Sequence, residues 1–233
     1  MSRSGKAAIG TLLLLVVLVG GAYALDRWAA GQAEERIETE AATAFPDADG
    51  LDASIEGALF LPQMITGSLE TVRLTADFIQ YEGTEFTDVT VTAAGVGIEA
   101  PRTVTDLTMT ATLPPGTVQT LVQQSGRVPD GVTIDVADGA LLATATVLGV
   151  PLEATLTPVV ESGELRLEPD TFTLGGLEVD AGAVPGDLLG DLAGIDVPLD
   201  ALPEALALES VETTGSDVLV RVTGTDVAFD DLG

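Results

Sequence analysis

The sequence predicts a mainly β protein: a curled antiparallel sheet, folded as a sandwich or barrel, with peripheral helices and an N-terminal helix. Three observations carry this. Of 233 residues, 46% are hydrophobic but only 4% aromatic, so the core must be built from Val, Leu, Ala and Thr. Those side chains suit a pleated, half-buried surface. Several stretches alternate Thr or an acid with Val or Leu, the signature of strands with one wet face. Turn residues separate these stretches at regular spacing, with no sharp linker between Asp47 and Gly233, which argues for one body.

Taken in order, Arg3 and Lys6 precede an uncharged run from Ala7 to Leu25 with its apolar centre at Ile9–Val19. The positive flank, short apolar core and Ala22-Tyr23-Ala24 fit a cleaved secretory signal. The run is also about long enough to cross a bilayer with its basic end in the cytoplasm. Both readings stay open, and both place the remainder outside the cytoplasmic membrane. The chain therefore divides into 1–25 (signal peptide or membrane anchor), 26–46 (N-terminal helix of the exported part) and 47–233 (a single β-rich domain).

Asp26 to Phe45 predicts a helix capped by Asp26, with Ala29, Ala33, Ile37, Ala41 and Phe45 on one face and Pro46 ending it. Asp47–Asp52 reads as a turn. Its glycine is misplaced for a calcium loop, and Ala58 stands where a bidentate glutamate would be needed. Gly57–Gly67 concentrates Leu59, Phe60, Leu61, Met64 and Ile65. It does not alternate, and Pro62 breaks it, so it reads as a bend at a sheet edge or barrel mouth rather than a helix.

Alternation then sets in. Val72, Leu74, Ala76 and Phe78 oppose Thr71, Arg73, Thr75 and Asp77; Val89, Val91 and Ala93 oppose Asp88, Thr90 and Thr92; Leu107, Met109, Ala111 and Leu113 oppose Asp106, Thr108, Thr110 and Thr112. Pro114-Pro115-Gly116 starts a short helix with Val118, Leu121 and Val122 on its apolar face. Asp138-Gly139 is a strong hairpin signal. Strands follow at Leu141–Val147, Leu152–Thr157 and Leu165–Leu167, and Phe172 to Val179 continues the sheet. A short helix is expected at Asp187–Ala193, then a loop past Pro203. Leu206–Val211 and Val218–Val222 close the chain.

Composition excludes much chemistry. With no cysteine and no histidine, there is no disulfide framework, no Ser-His-Asp or Cys-His nucleophile, and no His or Cys metal site. Phosphate loops and dinucleotide fingerprints are missing. Pairs of acids are uninformative among 37 of them. From Asp26 onward, seven basic residues face all 37 acidic ones, a net charge of −30 that opposes docking on nucleic acid or anionic head groups. No enzyme activity, cofactor or metal is expected. Apolar binding remains, because small aliphatic walls with few polar groups suit an acyl chain.

The segment Ile55-Glu56-Gly57-Ala58-Leu59-Phe60-Leu61-Pro62-Gln63, with Gly67 beyond it, resembles the "G-x-P-F-L-x-Q" signature of the LmeA-like family of actinobacterial envelope proteins. Leu59 stands where the family often has proline, and this chain is unusually acidic. Asp26-Arg27-Ala29-Ala30 with Ala33-Glu34 is similar to the family's start. Asp88-Val89-Val91 with Ala94-Gly95-Val96 resembles its middle strands, and Leu202-Pro203 through Gly224-Thr225-Asp226-Val227 its closing segment. The resemblance runs from about Asp26 to Val227. It implies a TULIP-like fold, a curled antiparallel sheet with a long helix that holds acyl chains in an apolar groove, and phospholipid binding in the periplasm or cell envelope. It carries over no catalytic residues.

The expected function is non-enzymatic binding, with transfer or chaperoning, of phospholipid or glycolipid in envelope maintenance. The N-terminal segment is the expected link to the cytoplasmic membrane, and no nucleic acid partner is expected. Leu59, Phe60, Leu61, Met64 and Ile65 are the candidate groove mouth, with Phe78, Val89, Val91, Leu107 and Met109 behind. The rivals are an exported structural or adhesive β-domain with a filled core, and a glycan hydrolase using two buried carboxylates about 5–10 Å apart.

Overall fold

The computed structural model describes residues 3–81, 83–124, 131–147, 149–161, 164–179, 195–197, 203 and 205–228. Three helices, α1 (Arg3–Ala44), α2 (Phe60–Thr66) and α3 (Pro115–Gln124), accompany twelve strands among these residues. The strands are β1 (Asp52–Glu56), β2 (Ser68–Tyr81), β3 (Thr84–Gly97), β4 (Thr103–Leu113), β5 (Thr133–Ala137), β6 (Ala140–Val147), β7 (Val150–Glu161), β8 (Glu164–Leu174), β9 (Leu177–Val179), β10 (Ile195–Val197), β11 (Leu206–Thr214) and β12 (Asp217–Ala228). The expected helix at Asp187–Ala193 lies outside the described residues.

The strands form two antiparallel sheets. One runs β1-β2-β3-β4-β12-β11, and the other β10-β8-β7-β6-β5 with β9 paired to β8. The mainly β expectation holds. The sheets are curled rather than closed into one barrel, with β1 and β11 at opposite edges of the first. The predicted hairpin is present: Asp138 and Gly139 sit at φ +53° and +77° between β5 and β6, the positive-φ pair of a type I′ turn.

The first sheet curls at two transverse faults. One crosses it at Glu70, Gly95, Thr105 and Asp226, where three successive ladders omit a pairing. Gly95 (φ +63°) and Asp226 (φ +51°) take the left-handed conformation there. Inward alternation changes parity at this row. Leu69, Val96, Val104 and Val227 are buried on one side of it, and Ala93 and Leu107 on the other, all in one core cluster. The second fault lies at Asp88 (φ +49°), beside a register shift between Thr87 and Thr90. Strict alternation therefore fails at Phe78: Ala76 and Ile79 are buried while Phe78 is half-buried.

Helix α1 departs from expectation. It does not start at Asp26 but runs through it without a break. From Ala29 onward it packs onto the first sheet: Ala30 is buried, and Ala29, Ala33 and Ile37 lie against the cluster that also holds Ile55, Phe60 and Leu107. Its carboxylates close the sheet's edge. Glu34 Oε1 accepts the Ile55 N–H at 2.8 Å and Glu38 Oε1 accepts the Ala53 N–H at 3.0 Å. These edge donors would otherwise be open to pairing with another strand. Toward its N-terminus α1 leaves the body, and every residue from Leu18 to Leu25 is exposed. Among the described residues no helix is long and apolar enough to cross a membrane.

The second sheet and α3 share a separate core. Val118 of α3 packs with Ile134, Leu141, Leu152, Leu156, Phe172 and, from the first sheet, Leu113 and Val218. The β5–β6 turn docks on the β11–β12 turn, where the Gly139 N–H donates to Gly215 O at 3.0 Å and the Thr213 hydroxyl donates to Gly139 O.

Candidate functional site

The Gly57–Gly67 stretch is not a bend but a two-turn helix, and the reason lies outside it. Seven residues are too few to hold a helix alone. Leu59, at the N-cap, offers no side-chain acceptor. The cap comes from α1 instead: Asp26 accepts the N–H of Phe60 at 2.9 Å and of Leu61 at 2.7 Å. Pro62 sits in the first turn, where an N–H would lack an intrahelical partner anyway. Gly67, at φ +76°, ends the helix by donating its N–H to Gln63 O. Asp26 is therefore not the cap of its own helix. It is buried, and the N–H groups of Phe60 and Leu61 hold its carboxyl below the usual carboxylate range. Burial opposes that shift and the Arg27 guanidinium, 4.0 Å away, adds to it.

Gln63 fixes the other end of the stretch. Its amide donates to Leu59 O at 3.0 Å and Glu56 O at 3.4 Å, and its Oε1 accepts the Glu70 N–H at 2.7 Å. The buried amide thus ties β1, α2 and β2 together. Gly57, at φ +132°, lies under it: a β-carbon there would sit 2.4 Å from Gln63 Nε2. The glycine and the glutamine are one device. Phe60 is driven into the core against Ala30, Ile55 and Leu107, while Leu59, Leu61, Met64 and Ile65 stay exposed, Ile65 at 87%.

A second apolar feature lies on the inner face of the first sheet. Leu74, Val91, Met109, Val222 and Leu208 are successive cross-strand partners on β2, β3, β4, β12 and β11. Val72, Ala93, Leu107, Gly224 and Leu206 form the next row, and Ala111, Val220 and Val211 a third across β4, β12 and β11. This band carries no charge. Thr and Arg73 or Arg221 occupy the opposite face. Its ends are closed, by the core under α1 and α2 on one side and by the core of α3 and the second sheet on the other. In between, Leu74, Val91, Met109, Ala111, Val220 and Val222 are only half-buried. Covering such surface is favourable by about 25 cal/mol per Å².

The candidate groove residues fall into four groups. Val91, Leu107 and Met109 sit together in the band, with Val89 at its upper margin in a small cluster with Ala76 and Ile79. Phe60 is a buried wall beside them, not a mouth. Leu59, Leu61, Met64 and Ile65 form an exposed face on α2, and Phe78 lies beyond the second fault. Leu74 and Val222 also lie in the band, beside Val91 and Met109; alternation marks their apolar face but not this cross-strand placement. The sequence marks Asp26 as the capping group of α2 by one signal only, a lone acid directly after an uncharged run.

Among the described residues no three acids gather as a metal site, and Asp26 is the one buried acid. The buried pair that a carboxylate hydrolase would need is not among them. A family model described as LmeA-like phospholipid-binding matches residues 24–223. No curated protein and no solved structure matches the chain.

Proposed function

The chain belongs to the LmeA-like phospholipid-binding family, and from that premise we propose that it holds phospholipid acyl chains along the aliphatic band of the first sheet, without chemistry of its own. The observation that carries the reading is the row Leu74–Val91–Met109–Val222: apolar, uncharged and half-buried between two closed cores. Aliphatic walls without convergent polar groups favour hydrocarbon and leave the head group to the rim. An aqueous setting outside the cytoplasmic membrane fits the basic flank and uncharged run at the N-terminus, which would export the domain or keep it at the membrane surface. A lipid carrier or chaperone of the cell envelope is the role consistent with both features.

Filling the band tests the assignment. Val91→Phe and Met109→Trp add volume where the sheet is incompletely covered. Each is expected to lower the stoichiometry of a phospholipid bearing a fluorescent acyl chain while leaving the urea midpoint within experimental error. Undiminished lipid uptake by both variants would remove the band from the site.

A further inference from the structure

The band does not use the exposed face of α2. Leu61, Met64 and Ile65 recur at helical spacing and are 42%, 44% and 87% exposed. Helix α2 carries no charged residue in a chain that is 20% charged. It is also not loosely held: Asp26 fastens its N-terminus, Gln63 its underside and Phe60 its core side. The same clamp marks the point where α1 leaves the body. Leu18, Val19, Tyr23 and Leu25 are exposed on that projecting part, and Trp28 follows two residues after Asp26, 66% exposed. The fold thus brings α2 and the projecting part of α1 together at one end, held by the Asp26 carboxylate and by Phe60 and Ala30 in a shared core cluster.

Two occupants could cover such a surface, a second copy of the chain or a bilayer. Pairing through this end would bring together two bodies of −30 charge each, with mutual repulsion at ordinary ionic strength. A bilayer of zwitterionic head groups brings no such like charge, and its interface accepts uncharged aliphatic and aromatic side chains, with Trp and Tyr favoured at head-group depth. We propose that the α2 face, with Leu25 and Trp28 of α1, is a foot that seats the domain on a phospholipid bilayer. This inference rests on the lipid-binding reading only in taking phospholipid as the ligand class; the foot and the band are separate surfaces.

The chain has one tryptophan and no cysteine, so position-specific optical probes are available in the full chain. An environment-sensitive fluorophore at Ile65→Cys is compared with one at Asp106→Cys, exposed on the sheet face opposite the band, with and without phosphatidylcholine vesicles. The expected result is a blue shift at position 65 alone, together with quenching of Trp28 by lipids brominated along their acyl chains. Adding Leu61→Glu and Met64→Glu should abolish the shift at 65. Equal responses at 65 and 106, no response at 65, or a blue shift at 65 that grows with protein concentration without vesicles would each overturn the proposal. Lipid load measured on the same samples by native mass spectrometry reports the band independently, so loss of the foot and loss of the cargo site are distinguishable.

Discussion

Replacing Gly57 and Gln63, singly and together, tests the device that shapes the α2 region. Gln63→Ala removes the acceptor 2.7 Å from the Glu70 N–H and two amide contacts to carbonyls. Leaving that part-buried donor unpaired costs about 1–3 kcal/mol. Gly57→Ala places a β-carbon 2.4 Å from Gln63 Nε2 and 2.9 Å from Glu70 Oε2, at φ +132°. The backbone strain alone is worth on the order of 1–3 kcal/mol. The amide must also move, so the variant forfeits most of what Gln63→Ala forfeits. In the double variant that loss is counted once. The two changes should therefore couple by about 1–3 kcal/mol, against roughly 0.3–0.5 for independent sites. Urea titration reads the cycle as shifts of midpoint at constant slope. Additivity within about 0.5 kcal/mol would refute the view that the glycine exists to admit the glutamine.

Two further outcomes concern α1. Asp26 has a lowered folded-state pKa, so its contribution to stability is fully present above its unfolded value near 4 and is lost as pH falls through the lower folded value. The urea midpoints of the wild type and Asp26→Asn should differ at pH 6 and converge toward pH 2; a gap that widens on acidification would reverse the assignment. Glu34→Ala and Glu38→Ala should speed amide exchange at Ile55 and Ala53 respectively, with residues on β3 unchanged, as followed by nuclear magnetic resonance. Unaltered exchange at both amides would show that the helix carboxylates do not close the β1 edge.

Much of the fold was legible because its cause is local. Alternation along 71–76 and 106–113 reflects side chains that point to opposite faces, and Asp138-Gly139 forms its turn from its own φ preferences. What escaped is set at a distance. Helix α2 has a proline and too few residues to be read as a helix, and it forms because a carboxylate from α1, 34 residues earlier, receives its first N–H groups. The same carboxylate reads as the cap of its own helix only if the uncharged run before it is a separate segment, whereas α1 continues through both and Asp26 caps α2 instead. A period of two from Val72 carries Phe78 to the inner face, but the ladder skips Asp77 opposite Asp88, whose left-handed backbone marks the fault that ends that period. Strands β1 and β10 have five and three residues and draw their order from partners rather than from pattern. In the candidate band, the aliphatic residues of β3 and β4 are legible because alternation names them. Which of those apolar residues remain half-covered is a property of how two cores meet, and one strand's sequence does not carry it.

The half-buried band on the first sheet is proposed to hold phospholipid. Native mass spectrometry of the purified chain, released from gentle detergent, tests it most directly. The expected spectrum shows the protein mass plus one or more phospholipid masses, exchangeable for an added phospholipid of different chain length and reduced in Val91→Phe and Met109→Trp. A correctly folded chain that carries no lipid and takes up none on incubation would contradict it.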